Sequence, residues 1–140
     1  MSWNSYIDNL ISQSKDSGGR CHVDKACIIG LNGGVKWTTD GHEKAFKITP
    51  GEGADIALCF KGKDFTPFQT NGVPCEGQNY QFLRQENQKV VMAKKKEHGA
   101  VTLRSSKTAI VIAHTPEGGQ QGCSKKAVAV IADYLEGMNM

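Results

Sequence analysis

A chain of 140 residues, 39% hydrophobic and 22% charged, has the size and composition of one soluble globular domain able to bury a core. A formal net charge of +3 does not suggest a dedicated nucleic-acid binder, and no apolar run approaches the roughly 20 residues a membrane-spanning helix needs. Five cysteines at irregular spacing (Cys21, Cys27, Cys59, Cys75, Cys123) and four scattered histidines argue against a disulfide framework or a metal site, and for reduced thiols in the cytoplasm.

The opening residues carry no basic, signal-like stretch. Ser2 is placed to cap a first helix, with Trp3, Tyr6, Ile7, Leu10 and Ile11 on one stripe at helical spacing. Gln13 to Arg20 reads as a loop. Cys27-Ile28-Ile29, the turn signal Asn32-Gly33-Gly34, and Val35 to Thr38 predict a hairpin. Thr49-Pro50-Gly51-Glu52 predicts a helix start, with Thr49 as cap and Pro50 in the first turn. Phe65 to Gly77, broken by Pro67, Asn71-Gly72 and Pro74, is expected to hold only short extended pieces.

Four strands follow, near residues 80–84, 89–93, 100–104 and 108–112, as an antiparallel meander. A last helix carries Ala127, Val128, Val130, Ile131, Tyr134 and Leu135, with Gly137 as its stop. The expected fold is α+β: one domain over residues 1–140, with a central antiparallel sheet and terminal helices packed on it.

No pattern for phosphate-loop, serine-hydrolase or zinc-protease chemistry is present, and Gly118 to Gly122 lacks a dinucleotide-binding context. Cys123, near a helix start and Lys125 and Lys126, is the one candidate nucleophile, but no histidine lies nearby in sequence. A binding protein without cofactor or metal is expected rather than an enzyme. The clusters Lys94-Lys95-Lys96 and Lys125-Lys126 fit either a solvated face or attraction to anionic surfaces.

Trp3, Tyr6, Trp37 and Tyr134 fit either core packing or a groove for proline-rich peptide. Such peptides form a preorganised extended helix whose ring faces stack on aromatics and whose carbonyls accept from indole N–H and phenol O–H.

Ser2-Trp3-Asn4-Ser5-Tyr6-Ile7-Asp8-Asn9-Leu10 resembles the N-terminal signature of profilins, particularly animal profilins. Ile48-Thr49-Pro50, Lys107 to Ile112 and Ala132-Asp133-Tyr134-Leu135 resemble later profilin segments in the same order, so the resemblance spans the chain. It implies terminal helices on one face of the sheet and smaller helices on the other. It implies a polyproline site at Trp3, Tyr6, Trp37, Tyr134 and Met140, where Met140 replaces the Tyr or Leu near which many profilins end. It implies an actin face at Thr70, Gln81, Phe82, Arg84, Lys95, Gln121, Ser124, Lys125 and Val128, with Asn79 and Gln120 departing from residues common in relatives. Phosphatidylinositol bisphosphate headgroups would meet Arg84, Lys94, Lys95, Lys96, Lys125 and Lys126. The implied partners are monomeric actin and proline-rich assembly proteins such as formins, at the cytoskeleton, with no nucleic acid. A small lipid- or peptide-binding adaptor without actin binding is the alternative.

Overall fold

Tyr6, Ile7, Leu10 and Ile11 are all buried, as their helical stripe requires, in helix α1 (Asn4–Gln13). The computed structural model describes residues 4–38 and 41–140, so Trp3 and the expected cap Ser2 lie outside the described residues. Strand β1 (Lys25–Gly30) follows the loop, but its paired strand is not the segment after Asn32-Gly33-Gly34. It pairs antiparallel with β6 (Ala109–Thr115), Ile28 opposite Val111.

The expected hairpin is thus corrected to a short bridge. Gly30 N donates to Val35 O at 2.7 Å and Trp37 N to Ile28 O at 2.8 Å, but Val35 to Thr38 forms no strand. The other end of β1's outer edge is taken by residues 44–46, through Ala26 N to Lys44 O and Phe46 N to Ala26 O. Two segments share one edge, and neither has enough of it to run on as a strand. Gly34, at φ 73°, lies against Gly53, and a side chain at either position would collide with the other's backbone.

Helix α2 (Pro50–Gly62) starts as its sequence signal requires. Thr49 Oγ1 accepts from Glu52 N at 3.2 Å, and Glu52 Oε1 accepts from Thr49 N at 2.9 Å, a reciprocal cap. The other Glu52 oxygen accepts from Gly77 N at 2.8 Å, tying α2 to the turn before β3.

The extended pieces expected after Phe65 are corrected in part: Thr66–Asn71 is a helix, α3, followed by the short strand β2 (Val73–Cys75). Pro67 sits in the first turn, where a missing N–H breaks no helical bond, and Asp64 Oδ1 accepts from Thr66 N at 3.0 Å. Phe68 anchors the helix in the core, and Gly72, at φ 85°, ends it.

The meander is β3 (Gln78–Glu86), β4 (Val90–Lys95), β5 (Gly99–Ser105) and β6. With β1 and β2 it makes a six-stranded sheet in the order β1-β6-β5-β4-β3-β2, each neighbouring pair antiparallel. Helix α4 (Gln121–Gly137) packs on β5, β6 and α1. Two apolar clusters result, one with α2 and α3 and one with α1 and α4. Alternation along the strands divides them: Ile110 and Ile112 point into the first, Ala109, Val111 and Ala113 into the second.

Candidate functional site

Helices α1 and α4 lie side by side, and a shallow groove of about 490 Å³ runs along their outer surface. Tyr6, Asn9 and Gln13 line one wall at helical spacing, and Val130, Ile131 and Tyr134 line the other. The Tyr6 and Tyr134 rings meet across it, with centroids 6.1 Å apart and planes tilted by 47°. Tyr6 is buried to 6% exposure while Tyr134 stands out at 54%. Burial, and then the neighbouring Tyr134, push the Tyr6 hydroxyl above its ordinary range, so it stays a neutral donor.

Trp37 and Met140 pack half-buried on the same cluster but do not line this groove. Glycine at position 30 makes room for the indole: a Cβ there would come within 3.1 Å of Trp37 Nε1. The Met140 carbonyl accepts from the hydroxyls of Ser106 and Thr108, each at 2.8 Å, which fixes the chain beyond α4 to the β5–β6 turn.

A second group gathers where β3 and β4 meet α4. Lys125 Nζ donates to both Glu86 oxygens, at 2.7 and 2.6 Å, and Arg84 lies 3.4 Å from the same carboxylate. Lys125 chiefly holds the Glu86 carboxyl below its ordinary pKa. Gln121 Nε2 donates to Val101 O at 2.9 Å, fixing the first turn of α4 over the sheet. Gln81 is paired in register with Lys94, and Lys95 is one residue on. Phe82 packs towards the α2–α3 cluster, stacked 6.4 Å from Phe68, while Arg84 follows a register shift. Thr70 is exposed on α3 beside it.

Ser124 and Val128 are wholly buried beneath α4, and the first shares its hydroxyl with Thr115 and the His22 carbonyl. They hold the helix to the sheet and have no surface to offer a partner. Lys94, Lys96 and Lys126 are exposed. His114 Nε2 donates to His98 O at 2.6 Å, anchoring the lysine-bearing β4–β5 turn to β6. Cys123 has only a weak contact with Gln120 Oε1, at 3.8 Å.

The profilin family profile matches residues 1–140. The chain belongs to the profilin family. A profilin of Heliocidaris crassispina is 63% identical over 140 residues, covering all of both chains. The solved structure of Acanthamoeba castellanii profilin II superposes with a TM-score of 0.80 at 31% identity, covering 99% of this chain and 100% of that one. Mouse profilin IIa, solved in complex with a double repeat from the FH1 domain of mDia1, has a TM-score of 0.70 at 24% identity, covering 100% of each chain, and at that identity speaks for the fold.

Sequence reasoning missed the polar wall of the profilin groove and the counter-ion on its other face. Asn9 and Gln13 were legible, since they follow Tyr6 at three and seven residues on an amphipathic helix. Glu86 was not, because its partner Lys125 is 39 residues away.

Proposed function

We propose that this profilin binds monomeric actin on the face around Arg84 and Lys125 and proline-rich segments, such as those of formins, in the groove between α1 and α4. The observation that carries the peptide half is the Tyr6–Tyr134 pair, an aromatic floor and wall in an open groove. Ser5, Asn9 and Gln13 add amide and hydroxyl groups for the peptide carbonyls. Trp37 extends the aromatic surface on the same side of the sheet, and Met140 adds apolar contact at its edge.

The actin half rests on family membership and on charge. Arg84, Lys95 and Lys125, with Thr70, Gln81, Phe82 and Gln121, form a surface suited to an acidic partner, while Ser124 and Val128 support it from beneath. Anionic headgroups of phosphatidylinositol bisphosphate would meet the exposed ammonium groups of Lys94, Lys96 and Lys126 beside Lys95, Arg84 and Lys125. The whole chain acts as one binding domain in the cytoplasm, at the actin cytoskeleton, without catalysis or cofactor.

The two faces use different residues, so each can be altered on its own. Arg84→Glu replaces attraction by repulsion and is expected to weaken sequestration of pyrene-labelled actin by about tenfold or more. Polyproline titration of the same sample should be unchanged. Equal loss of both activities would contradict two separate sites, and unchanged actin binding would remove Arg84 from its face.

A further inference from the structure

Residues 14–22, between α1 and β1, lie outside both proposed binding faces, yet one buried side chain ties them to α4. His22 is 1% exposed. Its backbone is fixed on both sides. The Ser14 hydroxyl donates to Ile11 O at 2.6 Å and accepts from His22 N at 3.1 Å, and the His22 carbonyl accepts from Ser124 Oγ at 3.1 Å. The ring is held between two further partners: Asp16 Oδ2 lies 2.9 Å from Nε2, and Gln120 N donates to Nδ1 at 2.9 Å.

These partners set the protonation of the ring. A backbone N–H only donates, so Nδ1 presents a lone pair; a carboxylate only accepts, so Nε2 carries the hydrogen. His22 is therefore neutral here, and a second proton would set its partners against each other. Asp16 favours the imidazolium. The His22 bond first, and then the Arg20 N–H, hold the Asp16 carboxyl below its ordinary range, so it stays charged where histidines titrate. Gln120 opposes the imidazolium, whose Nδ1–H would point at its N–H. Gln120 is also the N-cap of α4, where the positive end of the helix dipole disfavours a cation. Neither its own side chain nor an acidic residue in the first turn caps this helix in place of His22.

The other groups around the ring are neutral or engaged elsewhere. Ser124 of α4 and Thr115 of β6 bond each other through their hydroxyls, and the Cys123 thiol contacts only Gln120 Oε1. Asp24 is taken by His114 and Lys125 by Glu86, while Lys15 and Arg20 are exposed on the same loop. Among the described residues Asp16 is the one charged side chain bonded to His22.

We propose that His22 is a proton-operated latch: on protonation the ring keeps Asp16 and releases Gln120, loosening the first turn of α4. That turn leads to Gln121 and Lys125, so acidification weakens actin binding. This consequence rests on the proposed actin face, the latch itself on the hydrogen bonds alone.

The test titrates the full chain, labelled with nitrogen-15, from about pH 8 to about pH 5 by NMR. The His22 ring nitrogens report protonation and the Gln120 amide reports the latch. Both should change with one shared midpoint. At the acid end, exchange of the Gln120 to Cys123 amides, corrected for intrinsic rates, should quicken by about fivefold or more, as for a lost helix cap. Asp16→Asn keeps an acceptor for Nε2 but removes the charge, and should move the shared midpoint to lower pH. His22→Asn offers Oδ1 to Gln120 at every pH and should abolish the change. A Gln120 amide that ignores the His22 titration would overturn the latch, as would a ring that stays neutral throughout or a midpoint unmoved in Asp16→Asn. The wild-type titration and Asp16→Asn decide this even if the buried variant His22→Asn folds poorly. Sequestration of pyrene-labelled actin should weaken on acidification by up to the same factor in wild type, and less in His22→Asn. A working latch with unchanged actin affinity would support the latch and count against Gln121 and Lys125 as actin contacts.

Discussion

The two sides of the sheet use aromatic residues in opposite ways. All five phenylalanines belong to the α2–α3 side: Phe46, Phe60, Phe65 and Phe68 are buried in its cluster, and Phe82 packs against it. The α1–α4 side is filled with small and aliphatic residues, among them Ala26, Ala45, Ala109, Ala113, Ala127 and Ala132. Alanine leaves little bulk between helix and strand, and the larger rings on this side differ in exposure: Tyr6 is buried, Trp37 half-buried and Tyr134 exposed. These rings also carry polar handles, which need a partner or solvent, whereas a phenyl ring needs neither. One side buries its ring volume for stability, and under the proposed function the other displays Tyr134 and its neighbours for recognition.

Breaking this division should separate stability from binding. Phe68→Ala removes a ring with 2% exposure that touches Phe60, Phe65 and Phe82, and should cost ~3–5 kcal/mol in denaturant unfolding. The protein that remains folded should bind polyproline with unchanged affinity. Tyr134→Ala should do the reverse. It should lose ~2 kcal/mol of peptide affinity by fluorescence titration while unfolding free energy moves by less than about 0.5 kcal/mol.

Tyr80 sharpens the comparison, because it is the tyrosine on the phenylalanine side. Burial first, and then Cys75, push its hydroxyl from the ordinary 10.0 up to about 12. A raised folded pKa means that its stabilising contribution is complete below about pH 10 and is lost as pH rises through about 12. Alkaline thermal melts should show that loss, and Tyr80→Phe should flatten it. The smallest effect expected is at the proposed actin face. Glu86→Gln removes the carboxylate shared by Arg84 and Lys125 and should tighten binding to acidic actin slightly, with a steeper salt dependence.

Much of this division was legible in the sequence. The α1 stripe, the Thr49-Pro50-Gly51-Glu52 helix start and the four meander strands depend on neighbours close in the chain, and each formed where local pattern placed it. The failures came where distant segments compete. Val35 to Thr38 had strand-like residues and a good turn before them, but residues 44–46 held part of the β1 edge. Proline and glycine in 65–77 read as breakers, whereas Pro67 opens a helix and Gly72 closes it.

The candidate sites divide the same way. Tyr6 and Tyr134 were identifiable as residue types, but no local pattern places α1 against α4. The buried state of Ser124 and Val128 follows from α4's orientation on β5 and β6, which the helical period alone leaves free.

Backbone hydrogen exchange with and without a proline-rich peptide tests the central claim most directly, because it reads both sides of the sheet at once. The groove account predicts added protection in α1 and in the second half of α4, around Tyr6 and Val130 to Tyr134, with α2 and α3 unchanged. Protection centred on α2 and α3, or none in α1 and α4 at saturating peptide, would contradict it.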